Sequence, residues 1–284
     1  MRKFLLLIAA FIGRNADAVQ PESGWWWNAQ ESGRGFVMEV QNGTMFFAGY
    51  LYAQDGSSEW YVAQGPYNHS SSRFSGELLL FRGGQCMTCT YRPPTLAPSP
   101  GQVTVTFTSP VSGSLTWPGG TIPITRALYG TTTDVRRVLG SWVFSAAVST
   151  IESGDWLTMA SLQNTEQGTA AVGINLALRT SVALVDSSGN LGVLVDSSTS
   201  YYDLYIFPLQ TAGVENLGDG RYWLYLKTGS PSGLGSPTRA LKYGPGPATS
   251  EVEPVSEKKM ANLTSALRSA MQSLEAEGSI GAVK

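Results

Sequence analysis

From residue 24 to residue 243 the chain runs in short stretches that alternate apolar and polar positions, separated by breaks rich in Gly, Pro, Ser and Asn. A period of two sends successive side chains to opposite faces, so each stretch predicts a strand with one face toward a core. After an opening strand around Trp26 come Phe36 to Val40, Met45 to Tyr52, Glu59 to Ala63, Phe74 to Phe81, Val103 to Thr108, Ser114 to Trp117 and Thr121 to Tyr129. A second series follows: Trp142 to Val148, Trp156 to Gln163, Ala170 to Leu176, Ser181 to Val185, Leu191 to Val195, Tyr201 to Leu209, Arg221 to Lys227 and Thr238 to Tyr243. Asn42-Gly43 and Asp55-Gly56 mark tight hairpin turns. Eight short strands in each series favour antiparallel up-and-down barrels over a parallel α/β arrangement, which would need intervening helices.

The period changes after Pro254. Met260, Leu263, Leu267, Met271 and Leu274 recur at steps of three and four, which predicts an amphipathic helix over 256–277, with Ser256 able to cap it and Gly278 to stop it. A Pro/Gly linker, 245–255, separates it from the strands. Its apolar stripe needs cover, either from a barrel or from a second copy of the chain in a short coiled coil, so self-association through 256–277 is one expectation. The predicted fold is all-β: two tandem small up-and-down antiparallel barrels plus a C-terminal amphipathic helix.

One phrase occurs twice. Gly24-x-Trp26 leads to Thr125-Arg126-Ala127-Leu128-Tyr129, and Gly140-x-Trp142 leads to Thr238-Arg239-Ala240-Leu241-Lys242-Tyr243, about 115 residues later. Two modules follow, at 22–130 and 136–244. Strand alternation puts Arg126 with Ile122, Ile124 and Leu128, and Arg239 with Leu241 and Tyr243, so both guanidinium groups are expected on apolar faces. A charge turned toward a core needs compensation, which an aromatic ring and backbone carbonyls can supply. Arg126 and Arg239 are therefore expected across Trp26 and Trp142, closing one end of each barrel.

A Gly-x-Trp on the first strand and an Arg on the last is similar to the calycin pattern of lipocalins and avidin-like proteins. In addition, Trp25-Trp26-Trp27-Asn28, Ser32-Gly33-Arg34-Gly35-Phe36 and the stretch from Tyr50 to Tyr61 resemble a module common in secreted bacterial proteins. That likeness runs on through Leu115-Thr116-Trp117-Pro118-Gly119-Gly120 to Arg126 and covers the first module only. It implies a fold and carries no known function.

The first 18 residues read as a secretory signal, with Arg2 and Lys3, an apolar run from Phe4 to Ile12, and Ala16-Asp17-Ala18 as the cleavage site. The apolar run is too short to span a bilayer. A secreted or periplasmic location is expected, without a transmembrane segment. Charged residues make up 14% of the chain and the formal charge is −2, which argues against nucleic acid as a partner.

Candidate chemistry is sparse. His69, the single histidine, sits among Asn68, Ser70, Ser71 and Ser72, and no Gly-x-Ser-x-Gly elbow accompanies it. Carboxylates are scattered, Glu22, Glu31, Glu39, Asp55, Glu59 and Glu77 in the first module and Asp155, Asp186, Asp196, Asp203 and Asp219 in the second, and no sequence spacing pairs them. Cys86 and Cys89 have the C-x-x-C spacing of redox proteins, but in an all-β setting they are expected to form a structural disulfide that pins the loop from Arg82 to Gly101. No catalytic residue, metal ligand set or cofactor is nominated. If Trp26 faces inward, Trp25 and Trp27 face outward, and both faces of Met45 to Tyr52 are apolar, as in a strand whose outer wall is also covered. Trp25, Trp27, Tyr50, Tyr52, Trp60 and Tyr61 are the binding candidates. The expected function is a non-enzymatic binding or interaction protein for a glycan, a small apolar molecule or a protein partner; the alternatives are a structural or envelope-associated protein assembled through its C-terminal helix and, behind it, an extracytoplasmic hydrolase. Short strands and bulky aromatics predict filled barrel interiors, which favours the surface for binding.

Overall fold

A computed structural model describes residues 19–148, 151–245 and 255–280, so the expected signal segment and most of the linker lie outside the described residues. The first module contains β1 (Gly24–Trp27), β2 (Gly35–Gln41), β3 (Thr44–Tyr52), β4 (Ser58–Asn68), β5 (Arg73–Glu77), β6 (Leu79–Arg82), β7 (Thr95–Leu96), β8 (Gln102–Ser109), β9 (Ser112–Trp117) and β10 (Gly120–Arg126). Eight of them close a barrel in the order β3-β2-β1-β10-β9-β8-β5-β4, with β4 pairing back to β3. The predicted run from Phe74 to Phe81 divides at Leu78. Its first half pairs with β8 inside the barrel, and its second half pairs with β4 and carries β7 outside the ring. Cys86 and Cys89 are disulfide-bonded within the connection that follows.

The second module contains β11 (Gly140–Val148), β12 (Ile151–Thr165), β13 (Gly168–Asn175), β14 (Thr180–Val185), β15 (Asn190–Val195), β16 (Tyr201–Pro208), β17 (Asn216–Leu226) and β18 (Ser236–Gly244), closed in chain order. Asn42 and Gly43 both adopt positive φ, 47° and 75°, as the first hairpin turn demands. Each barrel has its own inner core. Trp26, Phe36, Phe47, Phe74, Val105 and Phe107 fill the first. Trp142, Phe144, Leu157, Tyr205 and Phe207 fill the second, and the 3-10 turn Val135–Val138 adds Val135 and Val138 to it.

The helix α1 (Glu257–Ala276) buries the stripe read from the sequence, Met260, Leu263, Leu267, Met271 and Leu274. Its partners are outward-facing residues of the second barrel, among them Val172, Val182, Leu184, Leu194, Leu204 and Ile206. Lys259 also reaches Asp196, which is paired with Lys227 as well. The second barrel is thus the one covered on an outer wall. The prediction that the wall bearing β3 is covered is corrected: Tyr50 and Trp60 are each 47% exposed and Tyr52 is 58% exposed.

Candidate functional site

The repeated phrase builds the closed end of each barrel. Gly24 and Gly140 have φ of 128° and 122°, a conformation that side chains disfavour. Trp26 and Trp142 are buried, and their indole N–H groups donate to the carbonyls of Glu22 and Val138, four residues upstream in each case. Arg126 pairs with Trp26 across β1 and β10 and donates to the carbonyls of Ser23, Trp25 and Ala127. A Cβ on Gly24 would stand 2.4 Å from the Arg126 guanidinium, so the glycine leaves the seat in which the cation lies.

In the second barrel the expected cation is corrected. Trp142 pairs with Lys242, whose Nζ lies 5.6 Å from the indole centroid, and a Cβ on Gly140 would meet that lysine's Cε at 2.8 Å. Arg239 pairs with Ser145 and bonds Asp219 on the outside of the barrel. On β18 the buried Thr238 and Ala240 face inward, whereas Leu241 and Tyr243 face solvent. The apolar face is therefore the outer one there, and Tyr243 rests against Trp156, 5.6 Å between ring centroids.

The binding candidates separate into two places. On the outer wall of the first barrel, Trp25 stacks on Tyr50 at 5.6 Å and Trp60 stacks on Phe81 at 6.1 Å, with Tyr50 and Trp60 directly paired between β3 and β4. The four rings form one ladder across the strands. At the usual interstrand spacing the ladder, from β1 to β6, spans roughly 19 Å. Gly35 is the reason Trp25 can reach Tyr50: a Cβ there would lie 2.0 Å from the Trp25 ring. Below the ladder, around Phe46, stand Glu39 and Gln64, and Gln41 donates to Glu39 at 2.6 Å. Trp27 faces outward too, at the register of Thr125. Phe81 was not among the candidates, because its place beside Trp60 depends on the break at Leu78.

Tyr61 is corrected from the outer surface to the interior. It lies on the inward side of β4 with the buried Ala63 and Tyr67, and its hydroxyl donates to Glu59. That bond, then burial, pushes its pKa up. Tyr61 helps line a cavity of about 390 Å³ in the mouth of the first barrel with Phe47, Leu51, Leu115, Trp117 and Arg34. Arg34 lies over Trp117, 5.1 Å from the ring centroid, and pairs with Glu31. The interior is filled toward the closed end and open at the mouth, contrary to the expectation of a filled barrel. His69 sits edge-on to Tyr67 in the 3-10 turn His69–Ser71.

The two modules meet through Glu22. Its carboxylate is 8% exposed and accepts from the backbone N–H groups of Val214, Glu215 and Asn216 and from the Asn216 side chain. Beside it, the buried Arg137 donates to the carbonyls of Ala212 and Gly213. Burial lowers the Arg137 pKa, and the Glu22 charge opposes that shift.

Among the described residues no helix is long and apolar enough to cross a membrane, and no group of three or more metal-ligating side chains occurs. In comparisons with protein-family models, curated proteins and solved structures, none matches this chain.

Proposed function

We propose that the protein is an exported, non-enzymatic binding protein that holds a neutral glycan chain on the outer wall of its first barrel. The ladder of Trp25, Tyr50, Trp60 and Phe81 carries this reading. A pyranose ring has an apolar C–H face that stacks on an aromatic ring and a hydroxyl edge that needs hydrogen-bond partners. Farther along the same face, about 13 Å from the Tyr50–Trp60 pair, the exposed Phe46 is flanked by Glu39 and Gln64, with Gln41 bonded to Glu39, and extended apolar surface of this kind marks an interaction site. Export is supported by the signal-like N-terminal sequence and by the Cys86–Cys89 disulfide, which persists in oxidising compartments.

Affinity electrophoresis through gels containing soluble neutral polysaccharides tests the reading. Retardation of the wild type should be lost in Trp60→Ala and reduced in Trp25→Ala, with the melting of the first barrel nearly unchanged for Trp60→Ala. Retardation by no polysaccharide, or retardation that survives both substitutions, refutes it.

A second reading, a small apolar ligand in the first barrel, is favoured by the cavity of about 390 Å³ at its mouth. Assembly through the helix has less support, because the apolar stripe of α1 is spent on its own barrel.

A further inference from the structure

The mouth of the second barrel gathers polar side chains that the reading above does not use. Asp155 on β12 accepts from the Tyr205 hydroxyl at 2.8 Å and from Asn175 at 3.1 Å. Asp203 on β16 accepts from the Tyr222 hydroxyl at 2.6 Å, and the nearby Ser197 hydroxyl donates to the Tyr201 carbonyl. The two carboxylates feel each other's charge, and burial, more than that repulsion, raises the Asp203 pKa. Among the described residues neither forms an ion pair with a Lys or Arg. Arg179, at the turn register of Asn175, has an exposed side chain.

A separate observation points into the same barrel interior. Ser181 is fully buried and its Oγ has no hydrogen-bond partner. Val182 lies under the helix and Ala183 in the inner core, so alternation aims Ser181 inward. Ser181 pairs with Val195, which pairs with Asp203, so the orphan hydroxyl shares the inner wall with that carboxylate. A buried hydroxyl left unpaired costs stability, and two carboxylates without a cation repel.

We propose that the mouth of the second barrel binds an organic ammonium ion, its charged head held by Asp155 and Asp203 and its apolar body by the surrounding rings. Tyr205 lies 4.9 Å from Phe144 and 5.0 Å from Tyr222, ring to ring, giving aromatic faces beside the acids. At the rim Tyr201, Leu224 and Leu226 are exposed. Two acids with no third metal-ligating group among the described residues suit a singly charged organic cation better than a divalent metal, which takes six or more oxygens.

Titration calorimetry on the full chain decides this, with 2-phenylethylammonium and tetramethylammonium chlorides as probes, sodium phenylacetate as the anionic match and calcium chloride as the metal arm. The wild type should bind at least one ammonium salt saturably and ignore phenylacetate. Asp203→Asn and Asp155→Asn should each weaken that binding at least tenfold, and the double variant should abolish it. Where an Asn variant does not fold, amide shift mapping on the wild type replaces it. Shifts centred on Ser181, Val195 and Asp203 support the site, and shifts centred elsewhere overturn it. Absence of ammonium binding, equal binding of phenylacetate, binding that survives in the double variant, or displacement of the ammonium by stoichiometric calcium also overturns the proposal.

Discussion

Replacing Glu22 by Ala should uncouple the two barrels. The carboxylate oxygen Oε1 takes three of the four bonds, from Glu215, Asn216 and the Asn216 side chain, and Oε2 takes the fourth, from Val214. A hydrogen bond to a charged group contributes roughly 1.5–3 kcal/mol. The sum is not recovered in full, because Val214 is solvent-exposed and water can enter part of the vacated site. A net loss of about 2–4 kcal/mol follows, near the cost of removing one member of a buried charged pair. Glu22→Gln should lose roughly half as much, about 1–2 kcal/mol, since its carbonyl can keep the Oε1 position while its NH₂ faces the Val214 donor. Gly213→Ala attacks from the other side: its Cβ would sit 2.0 Å from Oε1. Scanning calorimetry with urea titration is the assay. The single variants should separate the unfolding transitions of the modules, and Glu22→Ala/Gly213→Ala should cost no more than the worse single change. A Glu22→Ala effect below about 0.5 kcal/mol, or strict additivity in the double variant, would refute the latch.

Two other outcomes are expected. Asp203 has a raised pKa in the folded protein, so its ionisation opposes folding. The stability associated with its protonated form is present at low pH and is lost as pH rises from the unfolded carboxylate range through the folded value. Asp203→Asn should flatten that decline and leave the protein at least as stable at pH 7, as read by melting temperature against pH; a variant that declines with the wild-type profile would contradict the assignment. Leu267, fully buried between α1 and the outer wall of the second barrel, should cost about 3 kcal/mol when changed to Ala, seen in urea as a shift of the second-module transition alone; an unshifted transition would mean that the helix does not dock there in solution.

Local periodicity made the architecture legible, and long-range geometry did not follow from it. The five helix positions spaced at three and four all became the buried stripe of α1, and the Asn42-Gly43 turn fell where its chemistry placed it. The Thr-Arg copies misled because similar words sit at different registers. Trp26 stands opposite Arg126, whereas Trp142 stands opposite Lys242, three residues beyond Arg239, so the seat of Arg126 is taken by Lys242. An apolar face on β18 or β3 does not reveal whether it points to a core, a docked helix or water. Phe81 joins Trp60, and Asp203 is linked to Asp155 through the Tyr205 and Tyr222 rings, only after each barrel has closed, which brings together residues far apart in the chain. Phe81 and the Asp155/Asp203 cluster escaped detection for that reason.

The carboxylate latch also sets the direction in which the molecule presents itself. Glu22 lies at the closed end of the first barrel, and the Val214–Asn216 backbone lies at the closed end of the second. The modules are therefore joined base to base, and their mouths open away from the junction. A rigid junction would hold the outer-wall ladder of the first barrel and the mouth of the second at a set separation, so that occupants of the two would not collide.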